Sequence, residues 1–155
     1  MCEHCGCRGV EPIADLMDEH FEILDLAGDV RRRMSLGDRS GAATLLAKLG
    51  AQLGKHVGRE ERGVFAALKN QGEFVEAVLA LEAEHVDFDA VLDDLDVRAA
   101  DFDERVRLLL AALSDHIDQE NLGIFPVAVV SLNAAGWDTV SRAHAEAEDA
   151  ELVVR

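Results

Sequence analysis

One ten-residue pattern occurs twice in the chain, at residues 56–65 and 116–125. In each copy a histidine is followed by a glutamate four residues later, a glycine at seven and a phenylalanine at nine; the copies read HVGREERGVF and HIDQENLGIF. A four-residue step places the histidine and the glutamate on the same face of an α-helix. The repeat therefore predicts two helices, in two related halves of one fold, that each present an imidazole and a carboxylate together.

A second histidine precedes each copy, within the pairs Glu19-His20 and Glu84-His85. A single histidine on an apolar stripe is more often a buried residue with a satisfied hydrogen bond than a metal ligand. Here four helical segments each present one, and two of them add a glutamate on the face that otherwise forms the core. Burying an ionised carboxylate without a partner costs several kcal/mol, so we expect a metal to compensate these charges.

Composition favours an all-helical protein, because the 155 residues are rich in Ala and Leu and show little period-two alternation. The only prolines are Pro12, in the first turn of the first predicted helix, and Pro126, which marks a break or kink. The predicted helices span about 12–33, from near Ser40 to between Asn70 and Gly72, 73–97 and 101–126, followed by a short C-terminal helix at about 133–148. Because the connections are short, we expect an antiparallel up-down-up-down four-helix bundle. We expect residues 12–155 to be a single domain, preceded by a Cys-rich tail at 1–11.

Helical periodicity also predicts which side chains face the bundle interior. Counted from the helix ends, the four histidines fall near mid-height, so that they and the two glutamates can converge. The predicted inward residues are Ile13, Met17, His20, Leu24 and Ala27; Leu45, Leu49, Leu53, His56, Glu60 and Val64; Phe74, Val78, Leu81, His85, Phe88 and Leu92; and Phe102, Val106, Leu109, Leu113, His116 and Glu120. The C-terminal stretch is amphipathic, includes Trp137, Val140 and His144, and is expected to pack across one end of the bundle.

The order His20, His56-xxx-Glu60, His85, His116-xxx-Glu120 resembles the H…HxxxE…H…HxxxE signature of hemerythrin-like domains, over about residues 12–126. The resemblance implies a non-haem di-iron centre with an oxo or hydroxo bridge inside the bundle. It also implies that the four histidines are terminal ligands of two iron ions and that the two glutamates bridge them. The pairing of histidines with each iron stays open, and the ligand types alone would suit manganese equally well.

The chain departs from the oxygen-carrying hemerythrins, which have a fifth histidine four residues after the third-helix histidine and a final HxxxxD. Here position 89 is Asp89 and the last motif is His116-xxx-Glu120. Two irons offer about twelve coordination positions, of which the six side chains and the bridging oxygen fill about ten. Because about two positions remain, we expect reaction with O2, peroxide or nitric oxide in oxidative or nitrosative stress defence, with an unidentified reductant.

The sequence is also compatible with other functions. The protein could instead sense, buffer or donate iron without turnover, or bind O2 reversibly. A purely structural bundle is the least favoured interpretation, because it gives no reason for the inward position of the two glutamates. Whether the chain is an enzyme, as a di-iron oxidoreductase consuming peroxide or nitric oxide, is not decided by the sequence.

Three polar residues near the predicted ligands have more than one interpretation. Asp89 could supply an extra carboxylate ligand, although a solvated or supporting position is favoured. Glu82 forms an ExxH step with His85, but the chain has no second ExxH, so a ferritin-like centre is the poorer prediction. Gln52 lies one turn before His56 and could either hydrogen-bond a ligand or face solvent.

The N-terminus carries the cluster Cys2, His4, Cys5 and Cys7. It could bind a soft metal or undergo redox chemistry, although its spacing is too tight for an ordinary zinc site, and the alternative is a mobile, oxidisable tail. The remaining histidine, His144, is expected at the surface or in helix packing.

The formal net charge of -16 opposes binding to nucleic acids and to anionic membranes and suits a protein that collects cations. No apolar run approaches the length of a transmembrane helix, and the N-terminus lacks the layout of a secretion signal. We therefore expect a cytoplasmic protein whose three cysteines are thiols rather than a disulfide framework.

Overall fold

The computed structural model describes residues 6–154, which are helical over most of their length and contain no β-strand, as the sequence predicts. A 3-10 turn at Cys7–Gly9 precedes the first helix. The α-helices are α1 (Glu11–Ser35), α2 (Arg39–Arg62), α3 (Val64–Gln71), α4 (Val75–Asp94), α5 (Phe102–Gln119), α6 (Phe125–Ser131) and α7 (Ala134–Val153). A π-helical turn, Glu120–Ile124, joins α5 to α6.

The four long helices that carry the predicted ligands form a closed ring of contacts. Helix α1 packs against α2, α2 against α4, α4 against α5 and α5 against α1, as in a four-helix bundle. Two apolar clusters fill this bundle. In α1 and α4 the histidine lies between residues of the two clusters; in α2 and α5 it lies near the end of a helix that contributes to the second cluster, and the segment that follows contributes to the first. Helices α1 and α4 run from the first cluster to the second, whereas α2 and α5 begin at the second cluster and lead to segments of the first.

The second predicted helix is in fact two helices, because the chain leaves helical geometry at Gly63. A Cβ atom at this position would lie 2.6 Å from the carbonyl oxygen of Arg59 and 3.4 Å from the Cβ of Ala143 on α7. The missing side chain thus lets the backbone turn and lets α7 pack closely on the junction. The prediction of one helix was wrong here because the apolar period continues on both sides of the break.

Replacing Gly63 with alanine is expected to destabilise the fold by about 1–3 kcal/mol, because backbone atoms must shift to admit the methyl group. The matched control is Gly123→Ala, at the equivalent position of the second repeat, where the added Cβ meets nothing within 4 Å beyond its chain neighbours and the backbone of its own helical turn. Urea denaturation followed by circular dichroism gives both free energies of unfolding. Equal stability of the two variants would contradict the steric role of Gly63.

The end of the bundle also differs in detail from the prediction. Helix α5 ends at Gln119, and Pro126 lies in the first turn of α6, where its missing N–H is tolerated. The break expected at Pro126 is therefore a π turn just before it. Helix α7 is longer than predicted, and it begins with the Asn133 side chain accepting a hydrogen bond from the N–H of Gly136.

Among the predicted inward residues, Phe74 is the exception. It precedes α4 with a left-handed backbone (φ 54°), and its side chain is 47% exposed. Its place on the α4 stripe was predicted from a helix starting at Glu73, whereas the helix starts at Val75. The other predicted stripe residues are buried or partly buried.

The described part of the N-terminal tail is short, and Cys2, His4 and Cys5 lie outside it. Cys7 is fully buried in the first apolar cluster and is disulfide-bonded. The expectation of a free thiol is therefore wrong for Cys7. Among residues 6–154, no helix is long and apolar enough to cross a membrane.

Candidate metal centre

All six predicted ligands meet in one buried layer between the two apolar clusters. Helix α1 supplies one of them, α2 two, α4 one and α5 one, and the sixth begins the π turn. Both carboxylates are completely inaccessible to solvent. The six residues are His20, His56, Glu60, His85, His116 and Glu120.

Two histidines and both glutamates form the first group of possible ligands. The Nε2 atom of His56 lies 2.9 Å from Oε1 of Glu60. The Nε2 atom of His20 lies 3.0 Å from Oε2 of Glu120 and 3.6 Å from Oε1 of Glu60. Nitrogen and oxygen ligands of both kinds therefore face one small space.

The other two histidines and Glu120 form the second group. The Nε2 atoms of His85 and His116 are 3.0 Å apart, and Oε1 of Glu120 lies 3.0 Å from the latter. Oε2 of Glu60 lies 3.4 Å from Nε2 of His85. Each carboxylate thus directs one oxygen toward each pair of histidines.

The outer nitrogens of the four imidazoles are held by oxygens at 2.6–2.9 Å. Because a carboxylate or amide oxygen only accepts, each Nδ1 carries the proton and donates it. The Nε2 lone pairs then point inward, in the tautomer that binds a metal through Nε2. The pairs are His56 with Glu19, His116 with Glu84, His85 with Glu61, and His20 with Asn121.

These outer contacts follow the sequence repeat. The glutamate just before each upstream histidine accepts a hydrogen bond from the HxxxE histidine of the same half. The residue just after each HxxxE glutamate accepts a hydrogen bond from the upstream histidine of the other half. The repeated phenylalanines also cross over: Phe65 stacks on His85 and Phe125 on His20, each with ring planes 9° apart. The two halves are therefore related by approximate twofold symmetry, and each supplies side chains that contact a histidine of the other.

The charges of the centre require compensation. The carboxylate oxygens of Glu60 and Glu120 have no hydrogen-bond partner among the described residues, although imidazole nitrogens lie nearby. The inward lone pairs of His85 and His116 also face each other across 3.0 Å. Buried carboxylates and opposed lone pairs are both stabilised by a cation, so the residues fit a metal.

Without a metal, protons take over this role. Burial disfavours the charged imidazole of His56, but the negative charge of Glu60 and the contact with Glu19 outweigh it and raise the pKa of His56 to about 10. The pKa of His85 rises to about 8, because the nearby glutamates likewise outweigh its burial. The histidines around Glu120 overcome its burial and hold the pKa of its carboxyl well below the usual value. Metal uptake must therefore displace protons.

The metal-free protein is accordingly expected to lose stability as the pH rises. The raised pKa values stabilise the fold fully below the ordinary histidine value of 6.5, and this stabilisation is lost through about pH 8 and then about pH 10. We expect the melting temperature of chelated protein to fall by several degrees between pH 6.5 and pH 10. Metal-loaded protein should fall less over the same range; parallel curves for the two forms would contradict this account.

The other candidate residues lie outside the centre. Asp89 is exposed and lines a groove between α2 and α4, and it belongs to neither ligand group. Glu82 is ion-paired with Lys69 at 2.6 Å. Gln52 lines a groove beside His56, and its buried Oε1 has no partner among the described residues. The structure therefore brings none of the three into the ligand set.

His144 is buried on α7. Its pKa is lowered, first by burial and then by the positive charge of Arg59. Of the two expected roles, surface or packing, the structure supports packing.

The supporting role of Glu61 and Asn121 was not predicted from the sequence, and Glu19 and Glu84 were predicted only as part of the repeat. The role of Arg59, which is ion-paired with Glu19, was not predicted either. The available signal was the repeat itself, because all four partners occupy equivalent positions in the two copies. What the repeat did not reveal is that two of these contacts cross between the halves.

Fold and site together define a metal-binding helical bundle with a buried cluster of histidine and glutamate. The family profile described as the hemerythrin HHE cation binding domain matches residues 11–128. This is most of the chain, so the chain belongs to that family, as its motifs indicated. Helix α7 lies beyond the matched residues. Neither a curated protein nor a solved structure matches the chain.

Proposed function

We propose that the protein holds a non-haem di-iron centre that binds and reacts with small oxidants such as O2, peroxide or nitric oxide. The observation that supports this most directly is the placement of Glu60 and Glu120, each with one oxygen toward each histidine pair. Such a set suits two cations, each held by two imidazoles and joined through both carboxylates. Iron is favoured by the family, since imidazole and carboxylate ligands also suit manganese.

Bound iron would supply redox and Lewis-acid chemistry. The protein's own residues orient the imidazoles through their Nδ1 partners and keep bulk water away. The rings of Phe65, Phe88 and Phe125 cover three of the imidazoles. Because the ligand layer is buried, only small molecules can reach it. The ligand count, which leaves about two positions free, favours reaction over simple reversible O2 binding.

A second candidate function is iron buffering or donation. A groove of about 860 Å³ between α1, α2 and α7 reaches His56. Its lining has more acidic than basic side chains, which favours the passage of cations. The acidic residues are Asp15, Asp18, Glu19, Glu22, Glu148 and Glu151, and the basic residues are Lys55, Arg59 and Arg62.

Metal analysis and an optical spectrum test the di-iron proposal. Protein purified from iron-replete cells should contain about two irons per chain, and its oxidised form should show the charge-transfer bands of a bridged ferric pair. These bands are absent from zinc and manganese sites. Protein that carries only zinc, or no metal, after such growth would contradict the proposal.

Turnover separates the two candidate functions. An oxidant-reacting protein should consume many equivalents of peroxide or nitric oxide per centre when a chemical reductant is supplied. A protein that is oxidised once and then stays inert, but transfers iron to an apo-acceptor, would favour donation. Stress defence and a cytoplasmic location are part of the proposal. Oxidant consumption and iron transfer can be compared in cells in the same way.

A further inference from the structure

The two histidine pairs both face Glu60 and Glu120, with Glu60 closer to the first pair, but their outer partners are differently charged. Position 61, which supports His85, is glutamate, whereas the equivalent position 121, which supports His20, is asparagine. A neutral amide therefore replaces a carboxylate at one of the four outer positions. The approximate twofold symmetry of the centre is broken at this point.

A second difference acts in the same direction. Glu19, the outer partner of His56, is ion-paired with Arg59, whose side chain is only 15% exposed. Position 119, which is equivalent to Arg59 in the second repeat, is glutamine. The outer partners of His20 and His56 thus carry no net charge once Arg59 is counted.

The pair formed by His85 and His116 has the opposite environment. Its outer partners are Glu61 and Glu84, at 2.9 and 2.7 Å from the imidazole Nδ1 atoms. Within residues 6–154, neither carboxylate forms an ion pair with lysine or arginine. Both are about one-third exposed, so solvent screens them in part, but the direct hydrogen bonds to the imidazoles remain. The outer partners of this pair carry two negative charges.

We propose that the two metal positions are inequivalent and that the first cation binds at the His85–His116 position. A carboxylate that accepts the Nδ1 proton increases the electron density of the imidazole, and loss of such a partner typically lowers metal affinity about 10- to 100-fold. The same charges favour the more highly oxidised state of a metal at this position. The inference rests on the proposed two-metal function, and it identifies Glu61 and Asn121 as the positioning residues that distinguish the two positions.

Zinc binding to the metal-free protein tests the inference without redox chemistry. A competition titration at constant pH should give two binding constants that differ by about 10- to 100-fold. At one equivalent of zinc, the imidazole NMR resonances of His85 and His116 should shift, while those of His20 and His56 should change much less.

Two nearly isosteric variants each reduce the difference in outer charge between the two positions from two to one. Asn121→Asp adds a charge beside His20 and should tighten the weaker constant about tenfold or more. Glu61→Gln keeps an oxygen acceptor for His85 but removes the charge, and it should weaken the tighter constant by a similar factor. A gain of affinity in Asn121→Asp is informative, because a purely structural disturbance would lower affinity. Glu104→Gln, which makes the same change of charge at an exposed glutamate in the first turn of α5 that is paired with Arg107, is the control and should change neither constant.

Several results would overturn the inference. If the first zinc shifts His20 and His56, the assignment of the tighter position is wrong. If two zinc ions bind with equal constants that neither variant changes, the positions are equivalent, and the proposed two-metal function survives on its own. If no more than one zinc binds and iron-grown protein also lacks a second metal, the proposed function fails together with the inference.

Discussion

Removing the metal is expected to lower the melting temperature of the protein by about 8–16 °C. A ligand present at a thousand times its dissociation constant stabilises a fold by about 4 kcal/mol, and each kcal/mol shifts the melting temperature of a chain this size by about 2–4 °C. The structural reason is that Glu60 and Glu120 are fully buried and lack hydrogen-bond partners among the described residues. Without a cation, only protons on the surrounding imidazoles balance their charges.

Calorimetry of one preparation before chelation, after chelation and after reloading measures this effect at neutral pH. The chelator itself is controlled for with a Glu60→Ala, Glu120→Ala double variant, which should hold no metal and should not respond to treatment. An unchanged melting temperature in protein from which metal analysis shows complete removal would mean that the centre contributes nothing to the fold.

Glu120→Ala is expected to abolish nearly all metal binding, which makes it the most damaging substitution at the centre. Glu120 belongs to both ligand groups and directs one oxygen to each histidine pair. Its loss would remove a proposed ligand from both metal positions at once. The metal-free variant should still fold, because the surrounding imidazoles can release their protons once the buried carboxylate is gone.

Metal content by elemental analysis, read together with circular dichroism, distinguishes loss of binding from loss of structure. The matched control is Glu82→Ala, which removes a glutamate one turn from His85 that is paired with Lys69 rather than with the centre. It should retain about two metals per chain. Full metal content in Glu120→Ala would show that this carboxylate is not a ligand.

Much of the centre could be predicted from the sequence, because helical periodicity acts over short distances. A step of four residues fixes His56 beside Glu60 and His116 beside Glu120 whatever the rest of the fold does. The upstream histidines followed from the same apolar stripes. The structure brings all six side chains together as the sequence predicts, and their role as metal ligands stays a proposal.

The features that could not be predicted depend on contacts between distant parts of the chain. The break at Gly63 depends on α7, about eighty residues later in the chain, because α7 occupies the space next to Gly63 that a side chain would need. The support of His85 by Glu61 and of His20 by Asn121 depends on how two helices are rotated relative to each other. Neither rotation is encoded in the spacing of one helix.

The π turn at Glu120–Ile124 has a consequence for how this chain tolerates insertions and deletions. Such a turn holds one residue more than an α-helical turn, so it rotates the following helix by about 100°. With that rotation, Phe125 stacks on His20. In the other half, the break at Gly63 precedes the equivalent stacking of Phe65 on His85. The two halves thus share side-chain positions while differing in backbone path. Shortening the turn by one residue, even at exposed Leu122, would carry Phe125 away from the imidazole that it covers.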